Sequence, residues 1–80
     1  QMYRDAIPYL ELALETGGAD PFEVLLVLGE CHWQLSERNE AVVYFIAFDS
    51  KVPAAPKWKE KHAFVQSRLR EYNAQSEATK

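Results

Sequence analysis

The side chains with the most chemical potential are one cysteine and two histidines. Cys31 and His32 are adjacent, and His62 follows 30 residues later. Neighbouring residues on a helix point about 100° apart, so Cys31 and His32 are poorly placed to share a small site. Neither Cys-x-x-Cys nor His-x-x-x-His occurs, so the usual ligand spacing for zinc is missing. We therefore expect a buried thiol at Cys31, a packed His32, and neither a metal nor a cofactor.

Other catalytic patterns are equally weak. Gly17-Gly18 is no phosphate-binding loop, because it follows a predicted helix rather than a strand. Four carboxylates lie on predicted helix surfaces without a visible partner acid, namely Glu11, Glu15, Glu23 and Glu30. A catalytic pair of Cys31 and His32 is the best enzymatic alternative. We predict that the protein is not an enzyme.

Composition narrows the class of protein further. The 80 residues are 48% hydrophobic and 26% charged, with a net charge of −3, as in one small folded domain or a piece of a larger one. Glu60 and Glu71 lie among the clustered basic residues, which disfavours a nucleic-acid binder; these basic residues are Lys57, Lys59, Lys61, Arg68 and Arg70. No run approaches the ~20 apolar residues of a membrane span, and no signal-peptide pattern opens the chain. A single cysteine fits a reducing compartment, so a cytoplasmic location is favoured.

The first predicted helix covers residues 4–16. Ile7, Leu10 and Leu14 recur at helical spacing. Pro8 is tolerated if it lies near the first turn, which places the start of the helix near Arg4. Gly17-Gly18 then ends it.

The second predicted helix covers residues 21–35. Asp20 is the expected N-cap, and Pro21 occupies the first helical position. The helix is apolar nearly all round, so more than one of its sides must be covered. Gly29 costs about 1 kcal/mol in helix propensity relative to alanine, and we expect it to allow close approach of another helix.

The segment 38–51 is ambiguous when taken alone. The run Val42–Phe48 is rich in β-branched and aromatic residues, so a buried strand is an alternative. We predict a helix, because no second strand is available to pair with it. A final helix over 56–74 follows from an apolar stripe at spacings of three and four residues, made of Trp58, His62, Val65, Leu69 and Tyr72.

The middle of the chain resembles the tetratricopeptide repeat. Leu25-x-x-Leu28-Gly29-x-x-His32, then Ala41-x-x-x-Phe45, then Pro53 follow the repeat's W-x-x-L-G-x-x-Y…A-x-x-x-F…P pattern. Leucine replaces the tryptophan, histidine replaces the tyrosine, and Phe48 stands where the repeat has a small residue. The resemblance implies an all-α, right-handed solenoid of helical hairpins.

The resemblance also divides the chain. Residues 1–20 would be the second helix of a truncated repeat, 21–53 a complete repeat, 54–74 a C-terminal capping helix and 75–80 a polar tail. The helix 4–16 would then have an uncovered apolar side, which we expect an upstream segment or a second subunit to cover.

The repeat's groove-facing positions predict a partner-binding stripe on the second helix. It comprises Glu23, Leu26, Val27, Glu30, Trp33 and Gln34, and their spacing places them on one face independently of the resemblance. Trp33 has two interpretations: an amphipathic anchor for a bound peptide, or a core residue. The carboxylates favour a partner with basic residues and disfavour the acidic tails of heat-shock chaperones.

We therefore predict non-catalytic binding of a peptide or amphipathic helix in a concave groove. A narrower resemblance, carried by residues 29–35, Glu40-Ala41 and the charged last helix, is to chaperones of type III secretion systems. It implies a small chaperone for a secretion-system subunit. A third alternative is an assembly element that self-associates through the face of helix 4–16.

Overall fold

The chain forms four α-helices in a computed structural model that describes residues 2–18 and 20–78, with side chains described through residue 75. The elements are α1 (Met2–Thr16), α2 (Pro21–Gln34), α3 (Arg38–Lys51), a 3₁₀ turn at Pro56–Trp58, and α4 (Lys59–Ala78). Within these described ranges there is no strand. The all-α prediction is confirmed, and the strand alternative is wrong because the segment 42–48 lies inside α3.

The predicted start of α1 needs a correction. The helix begins at Met2, which places Pro8 in its interior rather than its first turn. Proline lacks the N–H that would bond the carbonyl of Arg4, and its ring crowds that carbonyl. Both residues are exposed, so solvent can reach this point. The helix ends as predicted: Gly17 has a φ of +72°, and its N–H donates to the Ala13 carbonyl at 3.0 Å.

The start of α2 follows from its capping residues. Asp20 has extended backbone angles, and its Oδ1 accepts a hydrogen bond from the N–H of Phe22 at 3.0 Å. Pro21 follows at the first helical position, where its missing N–H leaves no bond unmade. Both predicted roles are confirmed.

The turn after α2 closes the helix with two backbone hydrogen bonds. Ser36 has a φ of +63°, and its N–H donates to the Trp33 carbonyl at 3.1 Å, while the N–H of Glu37 donates to the His32 carbonyl at 2.8 Å. This pair of bonds is a Schellman motif, whose left-handed position is usually glycine. The last helical residue is Gln34, one before the predicted boundary.

Side-chain contacts show that α1 and α3 run parallel. Arg4 binds Glu37 at 2.7 Å, and the Tyr44 hydroxyl donates to Glu11 at 3.4 Å; both pairs are 33 residues apart. Moving along α1 therefore moves the contact in the same direction along α3.

The helices α2 and α4 are also parallel. Lys61 Nζ lies 3.4 Å from Glu23, and Arg68 lies 2.8 Å from Glu30. Both pairs are separated by 38 residues, and each helix advances by seven residues between them. Since α2 and α3 form an antiparallel hairpin, α1 and α3 make one layer and α2 and α4 the other.

Two apolar clusters join the layers. The larger lies between α2, α3 and α4 and contains Leu25, Trp33, Ala41, Phe45, Phe48, Trp58 and Val65. The smaller lies between α1 and α2 and contains Ile7, Val24, Leu28 and Cys31. Fully burying one valine, leucine, isoleucine or phenylalanine side chain in these clusters stabilises the fold by about 1.5–3 kcal/mol.

The C-terminal part differs from the prediction in detail. The expected helix over 56–74 is a 3₁₀ turn followed by α4, which continues to Ala78. Residues 75–78 of the predicted tail are therefore helical, and residues 79–80 lie outside the described chain. Phe48 packs edge-on against Trp58, with ring centroids 5.9 Å apart. The large Phe48 side chain is thus accommodated against the turn before α4.

Candidate functional site

The six predicted partner-binding residues lie on α2 with very different exposure. Val27 is 41% exposed, whereas Trp33 is only 4% exposed. Gln34 is exposed, and the remaining three are half-buried, namely Glu23, Leu26 and Glu30. The open edge of this stripe therefore consists mainly of Glu23, Val27 and Gln34. That these residues bind a partner stays a prediction.

Trp33 lies in the larger apolar cluster. Its ring centroid is 6.1 Å from that of Phe45. The guanidinium carbons of Arg38 and Arg68 lie 3.7 Å and 4.8 Å from the Trp33 ring centroid, a cation–π arrangement. Of the two interpretations of Trp33, this geometry is that of a core residue, because other side chains of the chain already cover the ring.

Glu30 is held by α4. Arg68 donates two hydrogen bonds to the two carboxylate oxygens, at 3.2 Å and 2.8 Å. Gln34 adds a third bond to Glu30, at 2.6 Å. Such a bidentate, charge-assisted pair is among the stronger polar contacts in proteins. The Glu30 carboxylate therefore ties α2 to α4.

Glu23 is held more weakly. Its partner Lys61 is 3.4 Å away, and the two side chains are 46% and 40% exposed. An exposed pair of this kind contributes about 0–1 kcal/mol. Of the two carboxylates in the stripe, Glu23 is thus the one left available to orient an incoming basic group.

The helix α1 has a solvent-exposed apolar side. Met2 is 85% exposed, Tyr9 76% and Leu12 57%. Met2 and Tyr9 are seven residues apart and so lie on one face, two turns from each other. The sequence predicted an uncovered apolar side on this helix without naming its residues, and that another chain or segment covers it stays a prediction.

Cys31 has the environment of a structural thiol. It is 4% exposed and packs with Ile7, Val24 and Leu28. Burial raises the pKa of the thiol, and the nearby charge of Glu30 raises it further. A thiol with a raised pKa carries little nucleophilic thiolate at neutral pH.

His32 takes part in a different contact network. Its ring stacks on Tyr44 with centroids 5.5 Å apart and an interplanar angle of 11°. Its Nδ1 lies 2.8 Å from Glu37, which also accepts two hydrogen bonds from Arg4. The bond from Arg4 is the main reason that the pKa of Glu37 is lowered, with His32 contributing next. His32 and Cys31 therefore belong to separate environments, and the network links α1 to the α2–α3 turn.

A pocket between α3 and α4 was not foreseen from the sequence. It has a volume of about 500 Å³ and is lined by Asp49, Val52, Pro53, Ala54, Ala55, Pro56, Trp58, Lys59 and His62. Asp49 accepts hydrogen bonds from His62 and from Gln66, the latter at 2.6 Å. The helical stripe predicted a packed His62, but its side chain is 47% exposed. Nothing in the sequence around His62 indicates that its side chain pairs with Asp49, thirteen residues earlier.

The described residues contain neither a metal-binding cluster nor a helix suited to span a membrane. Among them, no three or more His, Cys, Asp and Glu side chains come together as a metal site would require. None of the helices in these ranges combines the length and apolar composition needed to cross a bilayer. In comparisons with known proteins, no family model matches this sequence, and no match was found among curated proteins or solved structures.

Proposed function

We propose that this chain is a non-catalytic protein-binding module of the tetratricopeptide type, which takes a peptide or an amphipathic helix of another protein against α2. The observation that carries the proposal is the register of the helix pairs. The offset of 33 residues between α1 and α3 lies close to the repeat's period of about 34, and the offset of 38 residues between α2 and α4 exceeds it by about one helical turn.

Packing inside the hairpin supports the same assignment. Gly29 stands at the repeat's small position, and the ring of Phe45 lies against its backbone. His32, at the position of the repeat's tyrosine, stacks on Tyr44 of the facing helix. The outer side of α4 is polar, with Glu60, Ser67 and Arg70 exposed, as a capping helix requires.

The surface proposed for the partner is the open edge of α2. Val27 supplies apolar area, Glu23 supplies a negative charge with only a weak internal partner, and Gln34 supplies hydrogen-bonding groups. Leu26 and Glu30 border this edge. The preferred partner is therefore an amphipathic segment with a basic residue placed to reach Glu23.

The test is a selection of helical peptides from a displayed library, followed by affinity measurements on variants. Val27→Arg and Glu23→Lys should each weaken the selected peptides about fivefold or more, because they remove apolar contact area or reverse a charge at the edge. Glu60→Lys is the matched control, since it makes the same charge change on the outer side of α4.

The outcome is decided by comparing these variants. Loss of affinity in Val27→Arg and Glu23→Lys, with Glu60→Lys within twofold of the wild type, supports the proposal. If all three variants bind the selected peptides with equal affinity, the proposal that the peptides bind to the α2 surface is contradicted. Unchanged circular dichroism spectra would show that the variants remain folded.

Assembly through α1 is the second candidate function, favoured by the exposure of Met2, Tyr9 and Leu12. It predicts concentration-dependent association in sedimentation experiments, which Tyr9→Ser should weaken. Ile46→Ser is a matched control, because Ile46 is 53% exposed on α3. A monomer at micromolar concentration contradicts this candidate. A chaperone for a secretion-system subunit is the narrower form of the main proposal, and would use the same α2 surface.

A further inference from the structure

We propose that the pocket between α3 and α4 is a second binding site, which takes one bulky apolar side chain from an acidic peptide segment of another protein. It lies outside the α2 stripe, and none of its lining residues comes from α1 or α2. The proposal therefore stands independently of the function assigned to α2.

The lining of the pocket is apolar over most of its extent. Val52, Ala55 and Trp58 contribute to it, and all three belong to or pack against the larger core cluster. Its volume of about 500 Å³ falls within the usual range for ligand sites of about 300–1,000 Å³. A leucine or phenylalanine side chain is the kind of group that such a lining accepts.

The segment that forms the pocket is conformationally restricted. Pro53 and Pro56 both line it, and each proline fixes one backbone angle. The N–H of Ala55 donates to the Pro53 carbonyl at 2.8 Å, which closes the turn between them. A preformed turn loses little conformational entropy when a ligand binds.

The charges at the edge favour an acidic ligand. Lys59 lines the pocket, and the ammonium groups of Lys57 and Lys61 lie 5.0 Å and 5.9 Å from the Trp58 ring centroid. The one carboxylate in the lining, Asp49, already accepts hydrogen bonds from His62 and Gln66. The neighbouring Glu60 is exposed and does not line the pocket. Because Lys61 is already paired with Glu23, carboxylates flanking the inserted side chain would meet mainly Lys57 and Lys59.

The experiment titrates ¹⁵N-labelled protein with three capped pentapeptides. The probe is Glu-Glu-Phe-Glu-Glu, and the controls are Lys-Lys-Phe-Lys-Lys and Glu-Glu-Ala-Glu-Glu. The readout is the indole N–H signal of Trp58, with that of Trp33 as the internal reference in the core. We expect a saturable shift of Trp58 by the probe alone, with a Kd of about 1 mM or lower, as is reasonable for a short ligand.

Two variants and a matched control complete the test. Lys59→Glu should raise the Kd of the probe about three- to tenfold, because it reverses a charge at the edge. Ala54→Phe should weaken binding by filling the pocket. Arg70→Glu makes the same charge change about three turns further along α4, and its Kd should stay within twofold of the wild type.

Several results would overturn the proposal. They are the absence of a saturable Trp58 shift, equal binding of the lysine or alanine peptide, and equal effects of Lys59→Glu and Arg70→Glu. Loss of peptide binding to α2, by contrast, leaves the Trp58 titration unchanged.

Discussion

The ring of Phe45 lies directly against the backbone of Gly29. A Cβ atom placed on Gly29 would be only 2.5 Å from Cε1 of that ring. Phe45 is fully buried, and its ring centroid lies 6.1 Å from that of Trp33 and 6.2 Å from that of Phe64. The ring therefore has little room to move away. Glycine at this position sets how closely α2 and α3 approach each other.

Gly29→Ala should destabilise the fold. Alanine gains about 1 kcal/mol in helix propensity, but overpacking a buried contact costs about 1–3 kcal/mol. The second effect should be larger because the Phe45 ring is fully buried among other rings. Urea unfolding would show the loss. The same substitution in a Phe45→Leu background should cost less, because the smaller side chain leaves space. A stabilised Gly29→Ala protein would contradict the close approach.

Ser36→Gly should have the opposite effect. Ser36 holds a left-handed φ of +63°, which costs an L-residue about 1–2 kcal/mol. Glycine adopts this conformation freely but loses more entropy on folding, so we expect a net gain of about 0.5–1 kcal/mol in the free energy of unfolding. Ser67→Gly, on the exposed side of α4, is the control and should destabilise by a similar amount. Equal signs for the two substitutions would argue against the Schellman geometry.

The contact between Arg4 and Glu37 should make stability sensitive to acid. Its hydrogen bond lowers the pKa of Glu37 in the folded protein below the ordinary value near 4.5. As the pH falls below 4.5, the unfolded chain takes up this proton before the folded one does, so acid favours unfolding. The stabilisation is present above that pH and is lost as the pH falls through the folded pKa.

The measurement is the free energy of unfolding as a function of pH. Glu37→Gln should flatten the acid branch of this curve, and a carboxyl ¹³C titration should show that the pKa of Glu37 lies below the ordinary value of 4.5. If the free energy of unfolding of Glu37→Gln falls with acid as steeply as that of the wild type, Glu37 is not a source of the acid sensitivity.

Trp33→Ala should lower the free energy of unfolding by about 3–5 kcal/mol, the usual cost of truncating a large core side chain. A small domain has only about 5–15 kcal/mol to lose, so much of the protein could unfold. Val27→Ala, at an exposed position of the same helix, should change stability by about 0.5 kcal/mol or less. Chemical unfolding followed by circular dichroism distinguishes them. Similar stability of the two variants would contradict the placement of Trp33 in the core.

The helices themselves could be predicted because their signals are local. The Asp20 cap and the Gly17 stop follow from neighbouring residues, and the structure contains both of them. The predicted start of α1 near Arg4 is wrong, because it rests on Pro8 lying near the first turn. At an exposed position, a helix accommodated it two residues further inside than expected.

The candidate site was less predictable because its environment comes from distant residues. Helical spacing placed Glu30 and Trp33 correctly on one face, but it carried no information that Arg68 would bind the first and cover the second. His62 is a second example. No sequence motif predicts that it pairs with Asp49 or that both side chains line a pocket.

The sequence by itself determined an all-α chain, the approximate bounds of its helices and the apolar faces they would bury, because helix signals act over only three or four residues. Only the tertiary structure decided which parts of those faces remain open. That choice depends on how α1 and α4 pack on the central hairpin, through contacts between residues 33 to 38 positions apart.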